Sequence, residues 1–210
     1  FGLFKIINMK VSQFLSTIIF LLLSACGDDT PSMSKLPSDA IILAFGDSLT
    51  YGTGVKDDEN YPVVLQELTH LKVINAGIPG EESESGLYRL PELLEQYKPQ
   101  LLILCHGGND LLRKKNIIKM ESNIRAMVKL AKDKNISVVI LGVPKPGLFL
   151  SSFEVYEKIA MSTGIIFIED LIPKVLGDNS LKSDAIHPNK LGYRIMAETI
   201  HSVLKKSGAI

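Results

Sequence analysis

The sequence is short of cysteine, balanced in charge and free of the spacings that bind metal. Only two cysteines occur, Cys26 and Cys105. Cys26 lies in the amino-terminal segment ahead of the folded domain that holds Cys105, so no disulfide framework follows. The 23 Lys and Arg residues are matched by 23 Asp and Glu, which leaves no basic excess to argue for nucleic acid as a partner. The four histidines, His70, His106, His187 and His201, include no HExxH or CxxC-type spacing, which argues against a zinc site. The uncharged run from Val11 to Ala25 is shorter than the roughly 18 apolar residues that suggest a spanning helix. No repeat of solenoid length is visible. What remains is one chain of 210 residues, 46% hydrophobic, enough for a single domain with a real core.

The amino-terminal stretch has the layout of a secretory signal. Phe1 to Asn8 read as an upstream extension. Lys5 and Lys10 give a positive start, and Ile18 to Leu23 form the apolar centre. Leu23-Ser24-Ala25-Cys26 resembles a bacterial lipobox, which implies acylation of Cys26 and a lipid anchor rather than a span. Gly27 resembles the outer-membrane sorting pattern, so the expected location is the cell envelope, facing the periplasm, at the outer membrane more than the inner. Residues 1–25 are then leader, and 26–39 the lipidated cysteine with a polar, flexible tether.

From residue 40 to 210 strands and helices alternate, which predicts a parallel sheet with helices on both faces. The strands are expected over 40–45, 71–75, 100–105, 136–141 and 165–168. Helices are expected over 60–70, 87–97, 117–133, 151–162 and 188–206, the last burying Leu191, Ile195, Ile200, Val203 and Leu204. Residues 171–188 read as a long loop. Ligands of open α/β sheets bind at the carboxyl edge. Four segments reach that edge: Phe45-Gly46-Asp47-Ser48-Leu49-Thr50, Asn75-Ala76-Gly77, Gly107-Gly108-Asn109-Asp110, and the connection carrying Asp184 and His187.

Those residue types suit nucleophilic acyl transfer. Ser48 supplies a hydroxyl, His187 a base to take its proton, and Asp184 a carboxylate to orient the imidazole. The Ser48 and Gly77 amides and the Asn109 side chain are candidate oxyanion donors. Leu148, Phe149 and Leu150 are candidate acyl contacts.

The four blocks, in this order, resemble those of the SGNH (GDSL) hydrolases, in particular the arylesterase and thioesterase I/lysophospholipase L1 group. The resemblance runs from about Ile41 to the last helix. It implies a three-layer α/β/α, flavodoxin-like fold with a five-stranded parallel sheet in the order 2-1-3-4-5. It also implies no metal or organic cofactor, a small acyl ester or lipid as substrate, and the family roles for Ser48, Gly77, Asn109 and His187, with Asp184 completing the triad. The nucleophile elbow of α/β-hydrolases is excluded, because Thr50 stands where that motif needs glycine.

Each residue also has a plainer reading. Ser48 suits a helix amino-terminal cap, as do Ser183 and Asp184. Asn109 and Gly77 suit turns. Asp47 reads as a structural turn residue and Asp110 as a cap for the segment after it. His106 and Cys105 read as core, and Glu81 to Glu84 as a solvated loop. Three functions stay open: an esterase or thioesterase, an O-acetyl esterase acting on envelope polysaccharide or peptidoglycan, and a catalytically silent binding module.

Overall fold

The computed structural model describes residues 31–147 and 151–210. The expectations for the leader, Cys26 and Leu148 to Leu150 lie outside them. Five strands, β1 (Ile41–Gly46), β2 (Lys72–Gly77), β3 (Leu101–Cys105), β4 (Ser137–Leu141) and β5 (Ile166–Ile168), form a parallel sheet in the order 2-1-3-4-5. β1 and β3 are central and read as near-continuous apolar runs because both faces are covered. Ile42 to Phe45 and Leu101 to Cys105 have no measurable exposure.

The helices are α1 (Ser48–Tyr51), α2 (Tyr61–Thr69), α3 (Ser83–Tyr97), α4 (Gly108–Leu112), α5 (Ile117–Asp133), α6 (Glu154–Thr163), α7 (Leu171–Gly177) and α8 (Lys190–Lys206). α2 packs with α8, and α7 lies against α8; α3 packs with α5. Arg125 of α5 bonds Ser162 of α6 at 2.7 Å, which joins α6 to that second group. The result is a helix layer, the sheet, and a second helix layer.

Side-chain caps mark several helix starts. Asn60 accepts from the Val63 amide, Asn116 from Lys119, and Asn189 from both Leu191 and Gly192. Asn189 therefore caps α8, not Ser183 or Asp184, and the helix begins at Lys190. Its buried face is Gly192, Tyr193, Met196, Ala197, Ile200 and Leu204. Leu191, expected in that face, is 52% exposed. At 100° per residue, Leu191 stands about 180° around the helix from the buried Ile200, on the face turned away from the core.

Two other expectations are corrected. The tether through Asp39 is docked over its second half. The Met33 amide donates to the Ser207 carbonyl and the Leu36 amide to the Ala209 carbonyl, each at 2.8 Å, and Leu36 is buried. An apolar residue within a polar stretch gave it a surface to pack on. The loop expected over 171–188 begins with α7, whose Leu171, Ile172, Pro173, Val175 and Leu176 are buried. Pro173 is tolerated there because it falls in the first turn.

Gly77 ends β2 where the segment Ser48–Tyr51 crosses it. A Cβ on Gly77 would stand 2.1 Å from the Tyr51 amide nitrogen and 2.6 Å from its Cα. Both are backbone atoms, so neither can swing aside. Gly77→Ala is expected to cost about 1–3 kcal/mol by overpacking, read as a lower urea midpoint. An unchanged midpoint would show that β2 and α1 are free to separate.

Candidate active site

Ser48 is the first residue of α1, directly after β1, and its position is built by neighbours on three sides. Asp47, 2% exposed, caps α1 by accepting the Leu49 amide at 3.1 Å. The Tyr193 hydroxyl of α8 donates to the Thr53 carbonyl at 3.1 Å, and Thr50 Oγ1 lies 3.3 Å from the Tyr61 hydroxyl of α2. Asn75 ties α1 to β2, its amide donating to the Tyr51 carbonyl at 3.1 Å. Ser48 is thus held beside the carboxyl ends of β1 and β2, while its own side chain remains partly accessible.

Across 139 positions of sequence, His187 Nε2 stands 3.0 Å from Ser48 Oγ. On the far side of the ring, Nδ1 stands 2.7 Å from Asp184 Oδ2. An ionised carboxylate only accepts, so Nδ1 carries the proton and Nε2 is left to accept from the serine hydroxyl. Asp184 Oδ1 also takes the amides of Ile186 and His187 at 2.8 and 2.9 Å. Burial would raise the Asp184 carboxyl, but the imidazole and amide hydrogen bonds outweigh it and hold it below the usual carboxylate range. Hydroxyl, imidazole and carboxylate form a continuous line able to move a proton off Ser48.

The expected oxyanion donors divide. Among the described residues no protein acceptor takes the Ser48 amide. Asn109 Nδ2 donates to the Glu81 carbonyl at 3.0 Å and lies 3.3 Å from Asp47 Oδ2. Gly77 spends its amide on Asn75 Oδ1 at 3.0 Å. Its glycine is required by the backbone crossing described above, not by any exposed amide. Three residues on, Pro79-Gly80 forms a turn in which Gly80 has φ +78° and the Glu81 amide returns to the Ile78 carbonyl at 3.2 Å. The Gly80 amide has no acceptor among the described residues.

The acidic stretch read as a solvated loop is the largest departure from expectation. Glu81 is 8% exposed. Arg89 grips both its carboxylate oxygens at 2.7 Å, and His106 Nε2 lies 3.0 Å from Oε2. Arg89 also donates to the Ala76 carbonyl at 2.8 Å and stacks 4.2 Å above the Phe45 ring. The Gly107 amide donates to His106 Nδ1 at 3.0 Å, so Nε2 bears the proton that Glu81 receives. Burial would raise the Glu81 carboxyl, but His106 and Arg89 more than offset it, and the group titrates below its ordinary range. Asp110 does not cap the segment after it. It receives the Ser83 amide and hydroxyl at 2.8 and 2.7 Å and so anchors the start of α3. The only hint in the sequence was Arg89, a cation eight residues on. Cys105 is fully buried, and burial drives its thiol far up, which leaves it inert.

A cavity of about 600 Å³ opens beside Ser48 and Asn109. Leu49, Leu112, Val143, Pro144, Leu176 and Ile186 supply much of its wall. Leu176 comes from α7, an element the sequence reading left as loop. No cluster of three or more His, Cys, Asp or Glu side chains suited to a metal occurs among the described residues.

A parallel 2-1-3-4-5 sheet with a serine–histidine–aspartate line at its carboxyl edge defines a serine hydrolase of the three-layer α/β class. The profile of the GDSL-like Lipase/Acylhydrolase family matches residues 44–195, and the chain belongs to that family. It is a carboxylic ester hydrolase. An arylesterase of Vibrio mimicus is 29% identical over 208 residues, covering 92% of this chain and 98% of the relative. The esterase TesA of Pseudomonas aeruginosa is 29% identical over 175 residues, covering 78% and 87%. Among solved structures, the psychrotrophic esterase EstA of Pseudoalteromonas superposes with a TM-score of 0.73 at 28% identity, covering 80% of this chain and 98% of that one.

Removing the Glu81 charge strands Arg89 and is expected to cost about 3 kcal/mol at neutral pH. Because the folded carboxyl titrates low, its contribution is complete above the ordinary carboxylate value of 4.5 and is lost as pH falls through the lower folded value. The gap between wild type and Glu81→Gln in urea unfolding should therefore narrow below that pH. A gap that stays constant into acid would remove Glu81 as its source.

Proposed function

We propose that this chain is a serine esterase that hydrolyses short acyl or aryl esters, thioesters and lysophospholipids through an acyl-serine intermediate. The observation that carries the reading is the 3.0 Å approach of His187 Nε2 to Ser48 Oγ, a residue that lines the cavity. Ser48 Oγ attacks the carbonyl carbon while His187 Nε2 takes its proton, and Asp184 stabilises the imidazolium. The carbonyl oxygen becomes an oxyanion, which the Ser48 amide stabilises together with Asn109 Nδ2, which exchanges its longer bond to Asp47 Oδ2 for the oxyanion. The Gly80 amide is the third donor in this reading, in place of Gly77. It has no acceptor among the described residues, and it adjoins Glu81, whose carbonyl is bonded to Asn109. The C–O or C–S bond then breaks, and His187 returns the proton to the departing alcohol or thiol. Water repeats the attack with His187 again as base, releasing the acid and free Ser48.

The aliphatic side chains on the cavity wall, Leu49, Leu112, Val143, Leu176 and Ile186, favour an acyl or aryl group over a polysaccharide. The relatives named arylesterase and thioesterase 1/lysophospholipase L1 support the same substrate range. Ser48→Ala should lower kcat on p-nitrophenyl esters by about 10⁴-fold or more and abolish labelling by a fluorophosphonate probe, with an unchanged unfolding midpoint. Retained turnover would take Ser48 out of the mechanism. A panel of p-nitrophenyl esters of increasing chain length, run beside acetylated glycans and lysophospholipids, separates the substrate classes. Preference for the glycans would transfer the site to O-acetyl esterase chemistry.

The lipobox-like Leu23-Ser24-Ala25-Cys26 supports placement on the envelope through a lipid on Cys26. Cys26→Ala should move the protein from the membrane to the soluble fraction with kcat/KM on a soluble ester unaltered. Retention of the variant at the membrane would defeat this placement.

A further inference from the structure

The cavity beside Ser48 contains one charge that ester hydrolysis does not use. Of the residues lining it, Asp47 and Lys182 are the charged ones. Asp47 is buried, with its oxygens turned to the Leu49 amide and to Asn109. Lys182 is half-buried, and its ammonium makes no ion pair among the described residues. The two carboxylates nearest in sequence are occupied elsewhere. Asp178 Oδ1 takes the amide and hydroxyl of Ser180 at 2.8 and 2.7 Å. Asp178 feels the Lys182 charge without bonding it. Asp184 is bonded to His187 and to two backbone amides.

The backbone fixes Lys182 with respect to the imidazole. Lys182 and Pro188 form an antiparallel bridge, and one step inward the Ser183 amide donates to the His187 carbonyl at 2.9 Å. The Ser183 hydroxyl donates to the same carbonyl at 3.2 Å. Below the bridge, the Asn189 amide donates to the Leu181 carbonyl at 2.8 Å. Lys182 and His187 thus stand on facing arms of one small closed loop. A cation on the wall of this cavity, bonded to no carboxylate among the described residues, offers a partner to an anionic ligand.

We propose that Lys182 makes this site select esters that carry an anionic group, a carboxylate or phosphate. The inference rests on the esterase reading above and narrows its substrate class. Zwitterionic and anionic lysolipids and half-esters of diacids satisfy it; neutral acetylated sugars do not. The charge can sit on the acyl side or on the leaving group, since both enter the same cavity mouth.

Two matched ester pairs separate those placements. The first compares p-nitrophenyl octanoate with the mono-p-nitrophenyl ester of suberic acid, whose acyl chain ends in a carboxylate. The second compares the octanoyl ester of a carboxylated nitrophenol with that of its methyl-ester counterpart. The quantity read is kcat/KM for the anionic member over the neutral one, taken within each protein so that general effects cancel. In at least one pair the wild-type ratio is expected to exceed unity, to fall by about three- to tenfold in Lys182→Met, and to survive in Lys182→Arg. It should also decline as salt is raised. Ratios that are the same in all three proteins overturn the assignment. If neither these esters nor p-nitrophenyl acetate is cleaved, the esterase reading fails by itself, and Lys182 is then judged by binding. In Ser48→Ala, calorimetry should show octanoate binding more tightly than octanol, and Lys182→Met should erase the difference. Equal binding of the two overturns the proposal.

Discussion

Five parallel strands present their carboxyl ends on one edge, and everything chemical in this chain depends on that shared edge. β1 delivers Ser48, β2 the turn at Gly80, β3 Asn109, and the connection beyond β5 delivers Asp184 and His187. Parallel strands need crossover helices, so the chain returns to the opposite edge between each delivery. The order 2-1-3-4-5 places the reversal of winding at β1, between β2 and β3. A crevice forms at such a point because the helices flanking it leave on opposite faces. The hydroxyl and the Asn109 amide both stand at this crevice.

The last link is made by α8. Its Tyr193 reaches the carbonyl of Thr53 next to α1, and Asn189 caps it just after His187. The helix that carries the imidazole loop is therefore fastened to the helix that carries the nucleophile. Asp184 is itself exposed, with 53% of its side chain accessible. Three hydrogen bonds within its own loop, rather than burial, keep it on the ring. A second fastening lies on the other face, where Arg89, Glu81 and His106 join the carboxyl ends of β1, β2 and β3 through side chains alone. Glu81 contributes twice, by its carboxylate to this network and by its carbonyl to Asn109. Charge in such a position fixes loops that no regular secondary structure would hold.

Apolar runs such as Ile41 to Phe45 and Leu101 to Cys105 made the strands legible, since a strand buried on both faces has no alternation to disguise it. Long helices with an apolar stripe were equally readable. α3 was read four residues short because Ser83 to Gly86 looks like a loop; its first turn is stabilised by Asp110 and Asn123, which lie far along the chain. α7 was missed because seven residues containing a proline and a glycine carry no periodic signal, while burial against α8 supplies the stability. Gly77 was mistaken for an amide donor. Sequence shows that a glycine is present, but not whether it serves a ligand or a backbone crossing.

Composition, order and local chemistry were enough to specify an alternating α/β chain, its sheet order through family likeness, and the identity of the hydroxyl, imidazole and carboxylate that meet. These follow from periodicity and from short motifs, which are local. The pairing of Glu81 with His106, the crossing of Tyr51 over Gly77, the docking of Leu36 and the place of Lys182 on the cavity wall were decided by the tertiary structure alone. Each depends on contacts between segments tens of residues apart, and no local pattern encodes which buried group a distant side chain will reach.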